Sequence, residues 1–123
     1  MIDFVTVGTN NLKDAGVFYD AVFDVLGGKR STEYEGLIMW SGKSGTGSVA
    51  VTTPFDKSPA TAGNGTMLAL AAGDSETVQA VHAKAIEMGG TDDGAPGPRG
   101  TDRFYGGYFR DLDGNKLVAF CLK

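Results

Sequence analysis

A chain of 123 residues with 41% hydrophobic and 21% charged side chains has the length and composition of one globular domain, able to bury a core without disulfides or a structural metal. Eleven Lys and Arg against fifteen Asp and Glu leave a formal charge of -4, which argues against nucleic acid as a partner, because affinity for the phosphate backbone rests on basic side chains. Cys121 is the single cysteine, which excludes an intrachain disulfide and a thiolate metal cluster.

No apolar run approaches the length that crosses a bilayer, and Met1 to Asp3 carry no leader-like pattern, so no membrane partner and a cytoplasmic location are expected. An apolar strand opens the chain at Ile2 to Val7. A helix then starts near Asn10 or Asn11, whose side chains can accept from first-turn amides. Ala15, Phe18, Val22 and Val25 recur at helical spacing, and Gly27 with Gly28 ends the helix. Strand-like stretches follow at Arg30 to Tyr34, Leu37 to Trp40 and Ser48 to Thr53, separated by Gly and Ser clusters. Residues 55–65 hold Pro59, Gly63 and Gly65 among small side chains and read as a linker.

The pattern then restarts, with a strand at Met67 to Ala72, a cap at Asp74 or Ser75, a helix to Met88 and a stop at Gly89 and Gly90. Adding 63 to the first half superimposes Phe4 on Met67, Ala15 on Val78, Phe18 on Val81, Val22 on Ala85, Val25 on Met88 and Gly27 on Gly90. A short strand near Thr91 and a loop rich in Gly and Pro (Gly94, Pro96, Gly97, Pro98, Gly100) lead to a hairpin of Arg103 to Arg110 and Lys116 to Leu122. Asp111 to Asn115 make its turn. Each half is strand, helix and three strands. The fold class is α+β with two tandem βαβββ modules in a single domain, module one about 1–54 and module two about 66–123.

This arrangement, with IDFVTVGTNNLKDAGVFYDAVFDVLG, TTPFD, PATAGNGTMLALAA, MGGTDDGAPGPRG and FYGGYFRDLDGNKLVAFC, resembles the vicinal oxygen chelate superfamily of glyoxalase, bleomycin-resistance and extradiol dioxygenase proteins. The resemblance implies a cupped mixed sheet with helices on its outer face, a homodimer, and a divalent metal at the bottom of the cup. It also implies metal ligands of His, His and Glu at positions that fall here on Phe4, Met67 and Val118. None of the three can ligate such a cation, which takes imidazole, carboxylate or water oxygen. Gly47 to Thr53 add no His, Asp or Glu, and His82 is the one histidine. No cofactor is therefore expected.

Alternation along strands places Phe4 with Thr6, Met67 with Ala69, and Tyr108 beside Val118 across the hairpin. An apolar floor with a phenol beside it follows, suited to a small hydrophobic or aromatic compound. Tyr108 can donate to such a ligand, while Trp40, Arg103 and Tyr105 are candidate rim residues, an arginine being suited to an anionic group. The alternatives are a cup filled by its own side chains, leaving a structural or interaction role, and a lyase or isomerase of glyoxalase type with an atypical site. His82, next to the buried stripe of its helix, reads as a packing residue, and Cys121 as a buried structural thiol. Gly42-Lys43-Ser44 lacks the spacing of a phosphate loop, and Asp111, Asp113 and Asn115 lack the closing Glu of a calcium loop.

Overall fold

The computed structural model describes residues 1–45, 47–100 and 103–123. In chain order the elements are β1 (Phe4–Gly8), α1 (Leu12–Asp24), β2 (Lys29–Tyr34), β3 (Leu37–Ser41), β4 (Ser48–Thr52), β5 (Leu68–Ala71), α2 (Ser75–Glu87), β6 (Thr91–Pro98), β7 (Phe104–Arg110) and β8 (Lys116–Leu122). The strands form two four-stranded sheets, ordered β1-β4-β3-β2 and β5-β8-β7-β6. In each the opening strand runs parallel to the last strand of its module and the remaining pairs are antiparallel. This is the α+β tandem βαβββ fold read from the sequence. Neither helix is long and apolar enough to cross a membrane.

The duplication is close. Asn11 caps α1 by accepting from the Asp14 amide at 3.0 Å, and Asp74 caps α2 by accepting from the Thr77 amide at 2.7 Å. The offset of 63 carries the bounds of α1 onto those of α2 and the buried Ala15, Phe18, Tyr19 and Val22 onto Val78, Val81, His82 and Ala85. At the helix ends the register slips by one. The left-handed glycines are Gly27 (φ 77°) and Gly89 (φ 100°), so Gly89 rather than Gly90 is the counterpart of Gly27. The following amides, of Gly28 and Gly90, each close on a helical carbonyl at 2.8 Å, that of Phe23 and of Ala85.

The segment expected as a short strand followed by a loop is instead one strand, β6, running to Pro98. It is the outer strand of its sheet, with register shifts between Asp92 and Gly94 and between Gly94 and Gly97. Proline removes a ladder donor, and an edge strand with bulges tolerates that loss where a central strand does not.

Val5, Val7, Ile38, Trp40, Val49 and Val51 turn to α1, while Leu68, Leu70, Tyr105, Phe109, Leu117, Ala119 and Cys121 turn to α2, and all join one core. The two helices contact each other, and one cluster of buried side chains runs through both modules. The helix-bearing faces of both sheets thus share the interior. Their opposite faces, called here the open faces, look outward from one chain.

Candidate functional site

The open face of module two is built around Val118 on β8. Tyr108 on β7 lies directly opposite it in the ladder, and the Phe104 and Phe120 rings stack beside it at 5.2 Å with 4° between planes. Gly106 makes that stack possible, since a Cβ there would meet Phe104 Cε1 at 2.7 Å and Val118 Cγ2 at 3.1 Å. Val118 is fully buried beneath these neighbours. At the β5 end, Met67 shares a hollow of about 560 Å³ with Arg110 and Lys116.

On module one, strand alternation places Phe4, Thr6, Ala50, Met39 and Leu37 on the open face, opposite the core valines. Phe4 is 49% exposed, Tyr34 is 71% exposed and Phe55 of the linker is fully exposed. Thr6, Tyr34, Leu37, Thr52 and Phe55 rim a hollow of about 770 Å³. Such large apolar side chains are seldom left in water together without a purpose.

Of the sequence candidates, the structure brings together Met67, Tyr108 and Val118 on one open face, and puts Phe4 on the other. Trp40 and Tyr105 belong to neither. Trp40 alternates with Met39 and packs under α1, donating Nε1–H to Asp20 at 2.9 Å. Tyr105 lies three residues from Tyr108, an odd step that sends it to the α2 side, where its hydroxyl accepts from Gln79 Nε2 at 2.8 Å. Arg103 is exposed just before β7, its carbonyl accepting from the Lys123 amide at 2.8 Å. The cations that reach the Tyr108 ring are Arg99 and Lys116.

The Arg99 guanidinium carbon stands 5.4 Å and the Lys116 ammonium 5.3 Å from the centre of the Tyr108 ring, within the range of cation–π attraction. Arg99 was not singled out from the sequence. The signal was its setting among Gly94, Gly97 and Gly100, because Cβ atoms at Gly94 and Gly97 would each approach a guanidinium nitrogen to 3.2 Å.

The hairpin turn Asp111–Asn115 does more than reverse the chain. Asp111 Oδ1 accepts from the amides of Asp113 and Asn115, both at 2.9 Å, and Oδ2 accepts from Asn115 Nδ2 at 2.9 Å and from the Tyr19 hydroxyl at 2.5 Å. Asn115 Nδ2 also donates to the Gly8 carbonyl at 2.9 Å, and Asp113 accepts from the Asn10 amide at 2.9 Å. These bonds clasp module two to module one. Burial, then the Asp111 charge, pushes the Tyr19 phenol well above its usual 10.0. His82, at the equivalent position of α2, is buried and meets Asp92 at 3.0 Å.

Phenyl, thioether and isopropyl groups at Phe4, Met67 and Val118 offer no imidazole or carboxylate, and among the described residues no three His, Cys, Asp or Glu gather as a metal site. The donor set does not fit a divalent metal at the positions the resemblance implies.

Residues 1–119 match the family model described as Glyoxalase/Bleomycin resistance protein/Dioxygenase superfamily. A solved glyoxalase/bleomycin resistance protein from Albidiferax ferrireducens T118 is 36% identical, with a TM-score of 0.90 over 100% of this chain and 99% of that one. More distant structures share the fold: a glyoxalase/bleomycin resistance protein/dioxygenase family enzyme from Burkholderia phytofirmans PsJN (17% identity, TM-score 0.80, 98% of each chain), and a lactoylglutathione lyase from Agrobacterium tumefaciens (18%, 0.71, 98% of this chain and 92% of that one). A comparison with curated proteins finds no match. Fold, family model and the Albidiferax likeness agree, and the chain belongs to the glyoxalase/bleomycin resistance protein/dioxygenase superfamily.

Proposed function

We propose that the protein binds a small hydrophobic or aromatic compound without a metal, in a cup made where the open face of module one in one copy meets the open face of module two in a second copy. The observation that carries this reading is the apolar set Phe4, Met67 and Val118, which stands on the open faces in place of metal ligands. The pairing of copies follows from the outward aim of both faces. A single chain cannot close them over one ligand, because its two helix-bearing faces are committed to the shared core. A homodimer of this kind also covers Phe4, Tyr34 and Phe55, whose exposure otherwise leaves apolar area in water.

Enzymatic turnover of glyoxalase type draws much of its rate from a metal that polarises a carbonyl, a contribution of several kcal/mol. Among the described residues, no three His, Cys, Asp or Glu gather to hold one. Metal content of the purified protein, followed by a methylglyoxal–glutathione assay with added zinc, nickel or iron, tests the reading. Substoichiometric metal and no turnover are expected. Stoichiometric, tightly held metal, or turnover that depends on it, would overturn it in favour of a lyase or isomerase.

A further inference from the structure

We propose that the ligand of this cup is an organic anion, with its carboxylate, sulfonate or phosphate group at Arg99 and Lys116 over Tyr108 and its apolar body on the Phe104–Phe120 stack that covers Val118; this rests on the binding reading above and adds the charge of the compound.

The chain as a whole is acidic, with a formal charge of -4, yet the open face of module two collects cations. Arg99 and Lys116 both lie over the Tyr108 ring, and Arg110 lies two residues beyond Tyr108 on the same face of β7. Asp93 is the carboxylate that meets them, at 3.1 Å from Arg110 and 3.7 Å from Lys116. The neighbouring Asp92 turns to His82 and to the Gly94 amide, both at 3.0 Å. Among the described residues, no carboxylate forms an ion pair with Arg99, although the Asp92 carboxylate, held low first by the Gly94 amide and His82, also feels the Arg99 charge.

Arg99 is nonetheless held in place. Its Nη2 donates to the Ala95 carbonyl at 2.5 Å and its Nη1 to the Pro98 carbonyl at 3.1 Å. Gly94 and Gly97 clear the strand beneath it, and Tyr108 flanks it. A guanidinium carries five N–H donors, so donors remain for a ligand. Carbonyl oxygens and an aromatic ring orient the group without cancelling its charge. A fixed, incompletely neutralised fork beside a second cation is a setting that recognises carboxylate, sulfonate or phosphate oxygens. Tyr108 adds a hydroxyl donor at the edge of the same patch. Immediately across the ladder, the Phe104–Phe120 stack, lying over the buried Val118, offers a flat apolar bed. A cationic ligand would instead meet two like charges, an arrangement that costs binding.

The test compares two fluorescent probes of similar shape, the anionic 1-anilinonaphthalene-8-sulfonate and the neutral N-phenyl-1-naphthylamine, titrated into the wild-type full chain at low salt. The sulfonate is expected to bind about tenfold more tightly, with that advantage shrinking as salt is raised. Arg99→Met is expected to weaken the sulfonate about tenfold and to move the neutral probe less than twofold. Lys116→Met provides the same test by a second route should the first variant fold poorly. Equal affinity for the two probes, or variants that weaken both alike, would overturn the charge assignment while leaving the binding reading intact. Absence of saturable binding by either probe would overturn both.

Discussion

The hydroxyl of Tyr19 on α1 donates to the buried carboxylate of Asp111 at 2.5 Å, across the boundary between the two modules. The bond completes the coordination of a carboxylate that also organises the β7–β8 turn. Removing the hydroxyl in Tyr19→Phe keeps the ring in the core and leaves one acceptor site of a buried charge unsatisfied. Hydrogen bonds to charged groups contribute about 1.5–3 kcal/mol. A loss of about 2 kcal/mol is therefore expected in urea unfolding of the variant, with the helix content of the folded state unchanged.

The same phenol sets an alkaline limit. Its folded-state pKa is raised above 10.0 by burial and by the Asp111 charge. The unfolded chain therefore ionises first, and the folded state alone holds the proton. Stability owed to this group is complete below about pH 10 and falls as pH climbs towards the raised folded value. In Tyr19→Phe that alkaline component is expected to disappear, which unfolding free energies measured between pH 8 and 11 would reveal as a flatter profile.

Gly90 is needed for closeness rather than for a left-handed turn. A Cβ there would stand 2.8 Å from the carbonyl oxygens of both Ala85 and Arg110 and 3.2 Å from Phe18 Cε2. Two backbone atoms cannot yield as a flexible side chain would. Gly90→Ala is expected to destabilise by about 1–3 kcal/mol, the range of overpacked interiors, whereas Gly42→Ala, with nothing within 4 Å of the added atom, is expected to change thermal unfolding little.

The exposed aromatics of module one are expected to be covered by a second copy. Phe4→Glu and Phe55→Glu each place a charge where an apolar interface is proposed, and sedimentation velocity should show the dimer weakened tenfold or more in both. An unchanged dimer in both variants would mean that the copies meet elsewhere. A wild-type chain that stays monomeric at high concentration would remove the shared cup.

Much of the fold was legible because its signals are local. Helical spacing of Ala15, Phe18 and Val22 and the caps expected at Asn10 or Asn11 and at Asp74 or Ser75 mark both helices, which the structure reproduces at an offset of 63, while the glycine stop slips by one. The length of β6 was not, because Gly and Pro that mark loops elsewhere are tolerated on an outer strand with bulges. Within the candidate site, the Tyr108–Val118 pairing followed from hairpin register. Trp40 and Tyr105, expected at the rim, lie off the open faces, since alternation puts Trp40 with Ile38 and Tyr105 with Phe109, on the helix-bearing sides. The Tyr19–Asp111 clasp depends on tertiary placement that no local pattern carries.

The central claim is that the cup binds an apolar compound through side chains alone. Its most direct test is a titration of N-phenyl-1-naphthylamine into the wild-type protein before and after exhaustive dialysis against a chelator. Saturable binding with the same dissociation constant in both preparations is expected. Binding that vanishes on chelation and returns with zinc, nickel or iron, or no saturable binding in either preparation, would contradict it.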